Sequence, residues 1–320
     1  MIDSLLTLWE DVVPLPRARR PVVLAMHDVL DAGWLRGLAQ ELRRRWTPIA
    51  LAEFVARHVS GTLGPRHLAV TLDDGLRSVR TVVQPALREW GIPFTTFVCG
   101  EVLAGGPAPW FHRVAALLRD HPAPRLAGFW GLAADRVPSG SVLLHALKPA
   151  PFPRLLDGLE RAEQALGVDP SRLRADFLAP EDVVALGRDP LVTVGAHSHR
   201  HPVLSVLSDQ EQEDEIVQCG EVLTRLLGSR PRYFAYPNGK PADFGPGTLA
   251  ALRRHGFEGA VTTVQRPVAP GDDALRLPRL GVSQGDGVRK IRLKRAWPMP
   301  SWGDTVEART RRRFAASWKD

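Results

Sequence analysis

The chain has 320 residues, a formal net charge of +7 at pH 7, and an ordinary globular composition with 44% hydrophobic and 24% charged residues. This composition excludes wholesale disorder, and the length admits either one large barrel or two smaller domains. No run of residues approaches the ~18 consecutive apolar residues that a membrane-spanning helix needs. The two cysteines, Cys99 and Cys219, are too few for a disulfide framework or for a cysteine-rich zinc site.

The amino-terminal segment does not resemble a secretory signal peptide. Asp3, Glu10 and Asp11 lie where such a peptide carries cations, and no long apolar stretch follows them. The sequence therefore predicts a cytoplasmic protein.

The positive charge is concentrated at the carboxyl end. Residues 286–320 contain ten lysines and arginines against four acidic residues, which leaves a net charge of +1 for residues 1–285. We interpret 286–320 as a basic, tryptophan-rich tail beyond the last strand. It is either a segment that contacts an anionic membrane surface, with the protein peripheral to the inner face of the membrane, or a solvated tail that packs back through its tryptophans. A nucleic-acid partner is not expected, because no recognition motif accompanies the charge.

Short apolar, β-branched runs alternate with helical patterns along the chain. The predicted strands are Val22–Met26, Leu68–Leu72, Thr95–Cys99, Leu191–Val194, Tyr233–Tyr236, Ala260–Val264 and Leu277–Val282. The predicted helices are Trp34–Trp46, Leu76–Trp90, Trp110–Arg119, Ser208–Leu227 and Gly247–His255. This alternation indicates an α/β fold with a mostly parallel sheet and outer helices, either open or closed into a barrel. Residues 100–190 are rich in proline and glycine with few strand signals, and we interpret them as a helical insertion or cap over one face of the sheet.

Two adjacent carboxylates follow the second predicted strand, in the sequence Leu68-Ala-Val-Thr-Leu-Asp73-Asp74-Gly75. An Asp-Gly pair is common in ordinary turns, and that explanation stays open from these residues alone. Parallel-sheet folds, however, place catalytic groups at the carboxyl ends of their strands. Two neighbouring acids there can divide the work, one binding a cation while the other, ionised beside it, accepts a proton.

Three of the ten histidines lie within five residues after the fourth predicted strand, in Gly195-Ala-His197-Ser-His199-Arg-His201-Pro202. A solvated histidine-rich loop is the alternative explanation. Histidines four residues apart face one point where the loop forms a helical turn, as paired imidazole ligands of a metal require. With one of the two aspartates they would form a three-ligand site that leaves positions for water and substrate, as in catalytic metal centres.

These motifs resemble those of the polysaccharide deacetylases, the NodB-homology or carbohydrate esterase family 4 enzymes. The segment 71–75 is similar to the family's T-F-D-D-G motif, 195–202 to its G-x-H-[ST]-x-x-H-P motif, and 234–239 to its F-[RA]-x-P-x-G element. The resemblance covers roughly Val22 to Val282 and is closest to the exopolysaccharide branch, in which a histidine motif comes early. It implies a distorted (β/α) barrel of about seven parallel strands within residues 1–285.

The resemblance also implies a role for each matching residue. Asp74, His197 and His201 would hold a divalent metal, with His199 as the alternative to His201 in a shifted loop. Zinc is the default ion, and cobalt, nickel or iron fit the same ligands. Asp73 would be the general base that deprotonates the attacking water, and the backbone N–H of Asn238 would complete an oxyanion hole.

The sequence departs from the family pattern at two places. Many members carry an arginine at the position of Ala235 that orients the base, and Arg279 is the candidate substitute unless it is a surface residue at a strand end. Many members also take a catalytic histidine from a late Leu-x-x-His motif, but no histidine follows His255. His27 is therefore the candidate general acid, with Asp28 or another acid holding its imidazole charged. The alternative for His27 is a polar residue that merely ends a strand.

The expected activity is metal-dependent removal of N-acetyl groups from an N-acetylated sugar in a polysaccharide or glycoconjugate pathway. Two alternatives stay open: the same site acting on a small amide, an ester or a lipid-linked sugar, and a non-catalytic carbohydrate-binding barrel. The expected partner is a sugar or oligosaccharide. Trp110 and Phe111 either stack on its ring or pack in the core.

Overall fold

The computed structural model describes residues 20–287, residue 291 and residues 302–318. The predicted absence of a signal peptide concerns residues 1–19 and lies outside this range, as does most of the basic stretch between 288 and 301. Among the described residues, no helix is both long enough and apolar enough to cross a membrane.

In the described chain, eight strands form one sheet in which neighbouring strands are parallel. They are β1 Val22–Met26, β2 Thr47–Pro48, β3 His67–Leu72, β4 Phe94–Val98, β5 Val192–Ala196, β6 Tyr233–Ala235, β7 Gly259–Val261 and β8 Leu280–Gly281. Their order is β7-β6-β5-β4-β3-β1-β8, and β2 pairs with β3. A parallel bridge between Val261 and Leu277, just before β8, joins the two ends of this path. The predicted distorted (β/α) barrel is confirmed.

Alternate residues of the strands face two separate apolar clusters. Val22 and Leu24 of β1 pack in the large cluster that also contains residues of the outer helices, whereas Val23 belongs to a smaller cluster with Phe97 of β4. A strand buried on both faces is a nearly continuous apolar run in the sequence. This is why β1 has the bounds that the sequence predicts.

The outer helices begin and end at recognisable signals. They are α1 Ala32–Arg45, α2 Leu51–Val59, α3 Gln84–Glu89, α4 Gly100–Leu103, α5 Trp110–Asp120, α6 Ala123–Ala127, α7 Gly140–Leu147, α8 Phe152–Leu166, α9 Pro180–Gly187, α10 Asp209–Leu227 and α11 Pro246–Arg254. Ser208 and Glu211 form the predicted capping box of α10, and Gly228 ends this helix with a φ of 74°. The helix predicted from Leu76 begins later, as a π-helical turn over Val79–Val83 that leads into α3.

The insertion between β4 and β5 carries α4 to α9 and covers the carboxyl end of β3. Arg113 of α5 and Glu163 of α8 form a buried bidentate ion pair inside it. The backbone N–H of Arg77 donates to the carbonyl of Asp176, and that of Leu178 donates to the carbonyl of Gly75, both over 2.8 Å. These bonds attach the insertion directly to the loop that follows the paired aspartates.

Most of the described part of the carboxyl-terminal tail is a helix, α12, over Trp302–Ala315. It packs against α7 of the insertion. Phe314 and Trp318 are buried, and the indole N–H of Trp318 donates to the carbonyl of Ala146 over 3.0 Å. These residues of the tail are therefore folded against the body of the protein.

Candidate active site and metal centre

The three sequence motifs meet at the carboxyl ends of β3, β5 and β6. Four non-glycine residues of the described chain have φ in the left-handed region, and all lie in these motifs: Asp74 (69°), Ser198 (60°), His201 (61°) and Asn238 (59°). Such conformations cost about 1–3 kcal/mol each and persist only where the surrounding contacts hold them. Their concentration in one place makes this edge of the barrel the candidate functional site.

Asp74, His197 and His201 converge on one point. Oδ1 of Asp74 lies 3.4 Å from Nε2 of His197 and 3.6 Å from Nε2 of His201, and the two Nε2 atoms are 3.2 Å apart. All three residues are buried, and among the described residues they are the one such group of three potential ligands. The ligand atoms of a tetrahedral zinc ion, about 2.0–2.1 Å from the metal, lie about 3.3–3.4 Å from each other. The spacing of the three side chains fits a metal of this kind.

The protonation of the two imidazoles also fits a cation. Nδ1 of His197 lies 2.7 Å from the carbonyl oxygen of Ala235, which can only accept, so Nδ1 carries the proton and Nε2 faces the cluster. Burial lowers the pKa of His197, but the hydrogen bond and charge of Asp74 and Asp73 outweigh it and raise that pKa. Burial and the neighbouring His197 lower the pKa of His201 to about 3. The carboxylates beside His197 favour a positive charge there, and the neutral imidazole of His201 is the form that binds a metal.

The loop that carries the two histidines is held from three sides. The backbone N–H of His201 donates to Oγ of Ser198 over 3.0 Å, and the indole of Trp110 donates to the carbonyl of His201 over 3.0 Å. The ring of Phe111 lies 4.5 Å from the ring of His201, centroid to centroid. Trp110 is thus buried behind His201 and unavailable to stack on a sugar, whereas Phe111 packs on the imidazole of this candidate ligand.

His199 lies away from this cluster. Its Nδ1 is packed against Gly100, where an added Cβ would approach it to 2.7 Å. Its backbone N–H and that of Arg200 both donate to the carboxylate of Glu215 in α10, over 2.9 Å and 2.7 Å. The structure therefore brings His201, and not His199, to Asp74 and His197.

Arg279 lies against Asp73, although the two residues are far apart in the sequence. Nη1 and Nη2 of Arg279 donate to the two carboxylate oxygens of Asp73 over 2.7 Å and 2.6 Å, and Nη1 also lies 3.0 Å from Oγ1 of Thr71. Both charged side chains are buried. Burial raises the pKa of Asp73, but the charge and hydrogen bonds of Arg279 outweigh it and hold the pKa below its ordinary value. Asp73 is kept ionised beside the Asp74–His197–His201 group.

His27 stands at the open side of the same carboxylate. Its Nε2 lies 3.9 Å from Oδ2 of Asp73, and 57% of its side chain is exposed. The predicted partner Asp28 is engaged elsewhere, because its Oδ1 accepts a hydrogen bond from Ser78 over 2.7 Å. Asp73 is thus the acid that faces the His27 imidazole.

Asn238 follows Pro237 in a tight left-handed turn. Its carbonyl accepts a hydrogen bond from the hydroxyl of Thr263 over 2.5 Å, and Gly239, with a φ of 69°, donates to the carbonyl of Pro237 over 2.7 Å. The Nδ2 atom of Asn238 is buried without a hydrogen-bond partner. Thr263 and the turn fix the direction of this backbone at the edge of the site.

Three further polar residues, Asp182, Tyr236 and His112, have contacts away from the Asp74–His197–His201 group. Asp182 accepts from the backbone N–H of Ala179 at the start of α9, and the hydroxyl of Tyr236 donates to the carbonyl of Leu275. His112 lies edge-on to Phe177, with a buried Nε2 that has no partner.

Sequence reasoning missed several residues that hold the site together. Thr71 and Ser198 stand inside the recognised motifs, so their positions were a usable signal. Glu215 and the carbonyl of Ala235 could not be predicted in this way. A residue on a helix surface and a main-chain oxygen have no sequence motif of their own.

The fold and the site define a distorted parallel barrel with paired aspartates and histidines at its carboxyl edge. The sequence matches the family model described as polysaccharide deacetylase over residues 60–260. The chain therefore belongs to the polysaccharide deacetylase family of hydrolases, which act on acetylated polysaccharides, and the predicted family is confirmed.

Solved structures share the fold at low sequence identity. The deacetylase PplD of Streptococcus pyogenes is 13% identical with a TM-score of 0.59, and the match covers 87% of this chain and 98% of PplD. A de-N-acetylase from Aggregatibacter actinomycetemcomitans is 14% identical with a TM-score of 0.58, covering 86% and 99%. IcaB from Ammonifex degensii is 20% identical with a TM-score of 0.53, covering 92% and 97%. No curated protein sequence matches this chain significantly.

Proposed function

We propose that this protein is a metal-dependent hydrolase that removes N-acetyl groups from an N-acetylated sugar in a polysaccharide or glycoconjugate. The observation that carries the proposal is the convergence of Asp74, His197 and His201 next to an ionised Asp73. The names of two similar structures, a deacetylase in complex with acetate and a de-N-acetylase, support the same reaction.

The metal would be held by Asp74, His197 and His201. When bound, a divalent ion in such a site polarises the acetamide carbonyl and lowers the pKa of a water molecule. Zinc is our first choice, since two imidazoles and a carboxylate with an open position are a common catalytic zinc set, and cobalt, nickel or iron accept the same donors.

The residues around the ligands divide the proton transfers. Asp73, ionised by Arg279, accepts the proton of the attacking water as the general base. His27 is exposed to the substrate side and 3.9 Å from that carboxylate, so it can protonate the leaving amine as the general acid. The backbone N–H of Asn238 donates to the oxyanion that forms at the acetyl carbon.

The test is release of acetate from N-acetylglucosamine oligomers by protein loaded with zinc, before and after treatment with a chelator. Chelation and Asp74→Ala should each abolish acetate release and remove bound zinc, measured by elemental analysis. Unchanged activity in Asp74→Ala would refute the metal assignment. Sugar binding that survives chelation without acetate release would favour a carbohydrate-binding barrel, and turnover of small esters or amides alone would favour a different substrate for the same site.

We propose the cytoplasm as the place where the protein works, with membrane contact restricted to the cations of the tail. Phe314 and Trp318 are buried against the insertion, so these two aromatic residues do not face outward, whereas Arg309 and Arg312 are exposed. Fractionation of cells, and sedimentation with vesicles of anionic lipids, test the two parts of this proposal separately.

A further inference from the structure

A buried carboxylate of the tail helix joins the insertion to the loop of the candidate active site. One oxygen of Glu307 in α12 accepts from Nζ of Lys148, which follows α7, over 2.7 Å. The other oxygen accepts from Nζ of Lys240, which follows Asn238 by two residues. Only 8% of the Glu307 side chain is exposed. Burial raises the pKa of Glu307, but the two lysines outweigh it and lower the pKa to about 2, so the bridge is ionic.

A second contact of the same helix holds the other end of this loop. Arg311 of α12 forms an ion pair with the fully buried carboxylate of Asp243. The other oxygen of Asp243 accepts from the backbone N–H of Lys240 over 2.9 Å, and its carbonyl accepts from the backbone N–H of Ser205. The Lys240–Asp243 turn is therefore held by α12 through both of its terminal residues.

The turn continues the strained backbone at Asn238 and Gly239. Both residues have φ in the left-handed region, and a non-glycine residue keeps such a conformation only when neighbouring contacts impose it. On one side the hydroxyl of Thr263 holds the carbonyl of Asn238. On the other side the chain enters the turn that α12 holds, so the direction of the Asn238 N–H depends on both.

We propose that Glu307 is a positioning residue that orients the backbone N–H of Asn238 through Lys240, and that the basic tail thereby serves the reaction at the barrel edge. The proposal rests on the proposed function in one respect, because that function gives the Asn238 N–H its catalytic role. Packing of the tail does not depend on Glu307 alone, because Phe314 lies beneath the guanidinium of Arg136 and Trp318 is bonded to Ala146. Changing the carboxylate should loosen the turn while α12 stays in place.

The experiment uses two lysines that bind the same carboxylate but lead to different parts of the protein. Lys240→Met and Glu307→Gln should each lower kcat roughly 10-fold, less than the 10²–10³-fold loss on removing an oxyanion donor outright, with KM and bound zinc unchanged. Lys148→Met removes a comparably buried ion pair on the insertion side and should leave kcat unchanged. The double variant Lys240→Met with Glu307→Gln should lose no more than either single variant, and Glu307→Asp should recover part of the rate.

Hydrogen exchange provides a readout that is independent of catalysis. The backbone N–H groups of residues 238–243, Pro241 excepted, should exchange faster in Glu307→Gln and in Lys240→Met, but at the rate of the unaltered protein in Lys148→Met. Equal losses of kcat in Lys148→Met and Lys240→Met, or unchanged exchange in this turn, would overturn the proposal. If the unaltered protein releases no acetate, the proposed function fails, while the exchange measurement still decides whether α12 holds the turn.

Discussion

Arg279 provides the charge beside Asp73 that Ala235 cannot provide. It reaches the carboxylate from the segment before β8, and its Nε also donates to the carbonyl of Thr262 over 2.8 Å. The sequence identified Arg279 as a candidate because it is an arginine in the late predicted strand Leu277–Val282. It did not distinguish a buried partner of Asp73 from a surface residue, since that depends on how the barrel closes over more than 200 residues of chain.

Arg279→Met should change both stability and pH dependence. Asp73 has a folded pKa below its unfolded value, so its ion pair stabilises the protein above the unfolded pKa and this stability is lost as pH falls through the folded pKa. Without Arg279, burial is opposed only by the smaller effects of His197 and His27, and the pKa of Asp73 rises, so the acidic limb of kcat/KM should move to higher pH. The unpaired buried charge should cost about 3–5 kcal/mol of unfolding free energy.

The pH–rate profile and chemical denaturation measure these two effects. Arg276→Met, an exposed arginine three residues away, serves as the control and should change neither quantity. The double variant Asp73→Asn with Arg279→Met should regain stability without regaining activity. An acidic limb that stays in place would show that Asp73 is not the base.

His27→Gln tests the proposed general acid. The side chain is mostly exposed, so the variant should fold and keep its zinc, while kcat on acetamido sugars falls about 10²–10⁴-fold. An activated aryl acetate needs no proton on its leaving group, and its hydrolysis should fall much less. Asp28→Asn is the matched neighbour, since Asp28 bonds to Ser78, and it should retain most of the activity. Equal losses on both substrates would contradict the role of an acid.

At the scale of elements, α10 does more than cover the sheet. Its Glu215 accepts the backbone N–H groups of His199 and Arg200 and pairs with the Arg200 guanidinium over 2.6 Å. The sequence predicted this helix through its capping box and its apolar face, which local rules specify. The sequence could not predict the role of Glu215, because its hydrogen bonds to His199 and Arg200 depend on the packing of α10 against the histidine loop.

Glu215→Ala should weaken metal binding without touching a ligand. It leaves two backbone N–H groups and a guanidinium without their acceptor, which should cost about 1–3 kcal/mol for each unsatisfied buried group. The loosened loop should lower zinc affinity roughly 10–100-fold, the usual effect of removing a residue that supports a ligand. Glu211→Ala, on the same helix, loses only a capping contact and should keep the zinc affinity unchanged, as competition with a chromogenic chelator can show. Equal affinities in the two variants would contradict this role of Glu215.

The strands that the sequence missed or misplaced are the ones with the weakest local signals. Strand β2 has two residues, and β8 is shorter than its predicted range because only Leu280 and Gly281 pair with β1. Apolar strands such as β1 and β3 were predicted because a strand that is buried on both faces is a nearly continuous run of apolar residues in the sequence. Helix α2 follows β2 directly and was also missed.

At the scale of the whole molecule, the sequence predicted the order of motifs and the barrel, but not how the insertion and the tail attach to it. Parallel topology brings the carboxyl ends of β3, β5 and β6 to one edge, whereas Arg279 reaches Asp73 from the segment before β8 because the barrel closes there. The contacts of α12 with the insertion and with the Lys240 turn involve side chains that any solvated tail could carry. Their places follow only from the folded structure.

Binding of zinc should therefore stabilise the whole fold, because the unfolded chain does not assemble the three ligands. Zinc at 100 times its Kd adds about 2.7 kcal/mol to the unfolding free energy, so the Tm should rise by several degrees and fall again with a chelator. His201→Gln should lose most of this shift. His199→Gln should keep it, because that ring packs against Gly100 and away from Asp74. The opposite result in the two histidine variants, measured by differential scanning calorimetry, would mean that the loop binds metal in the shifted register.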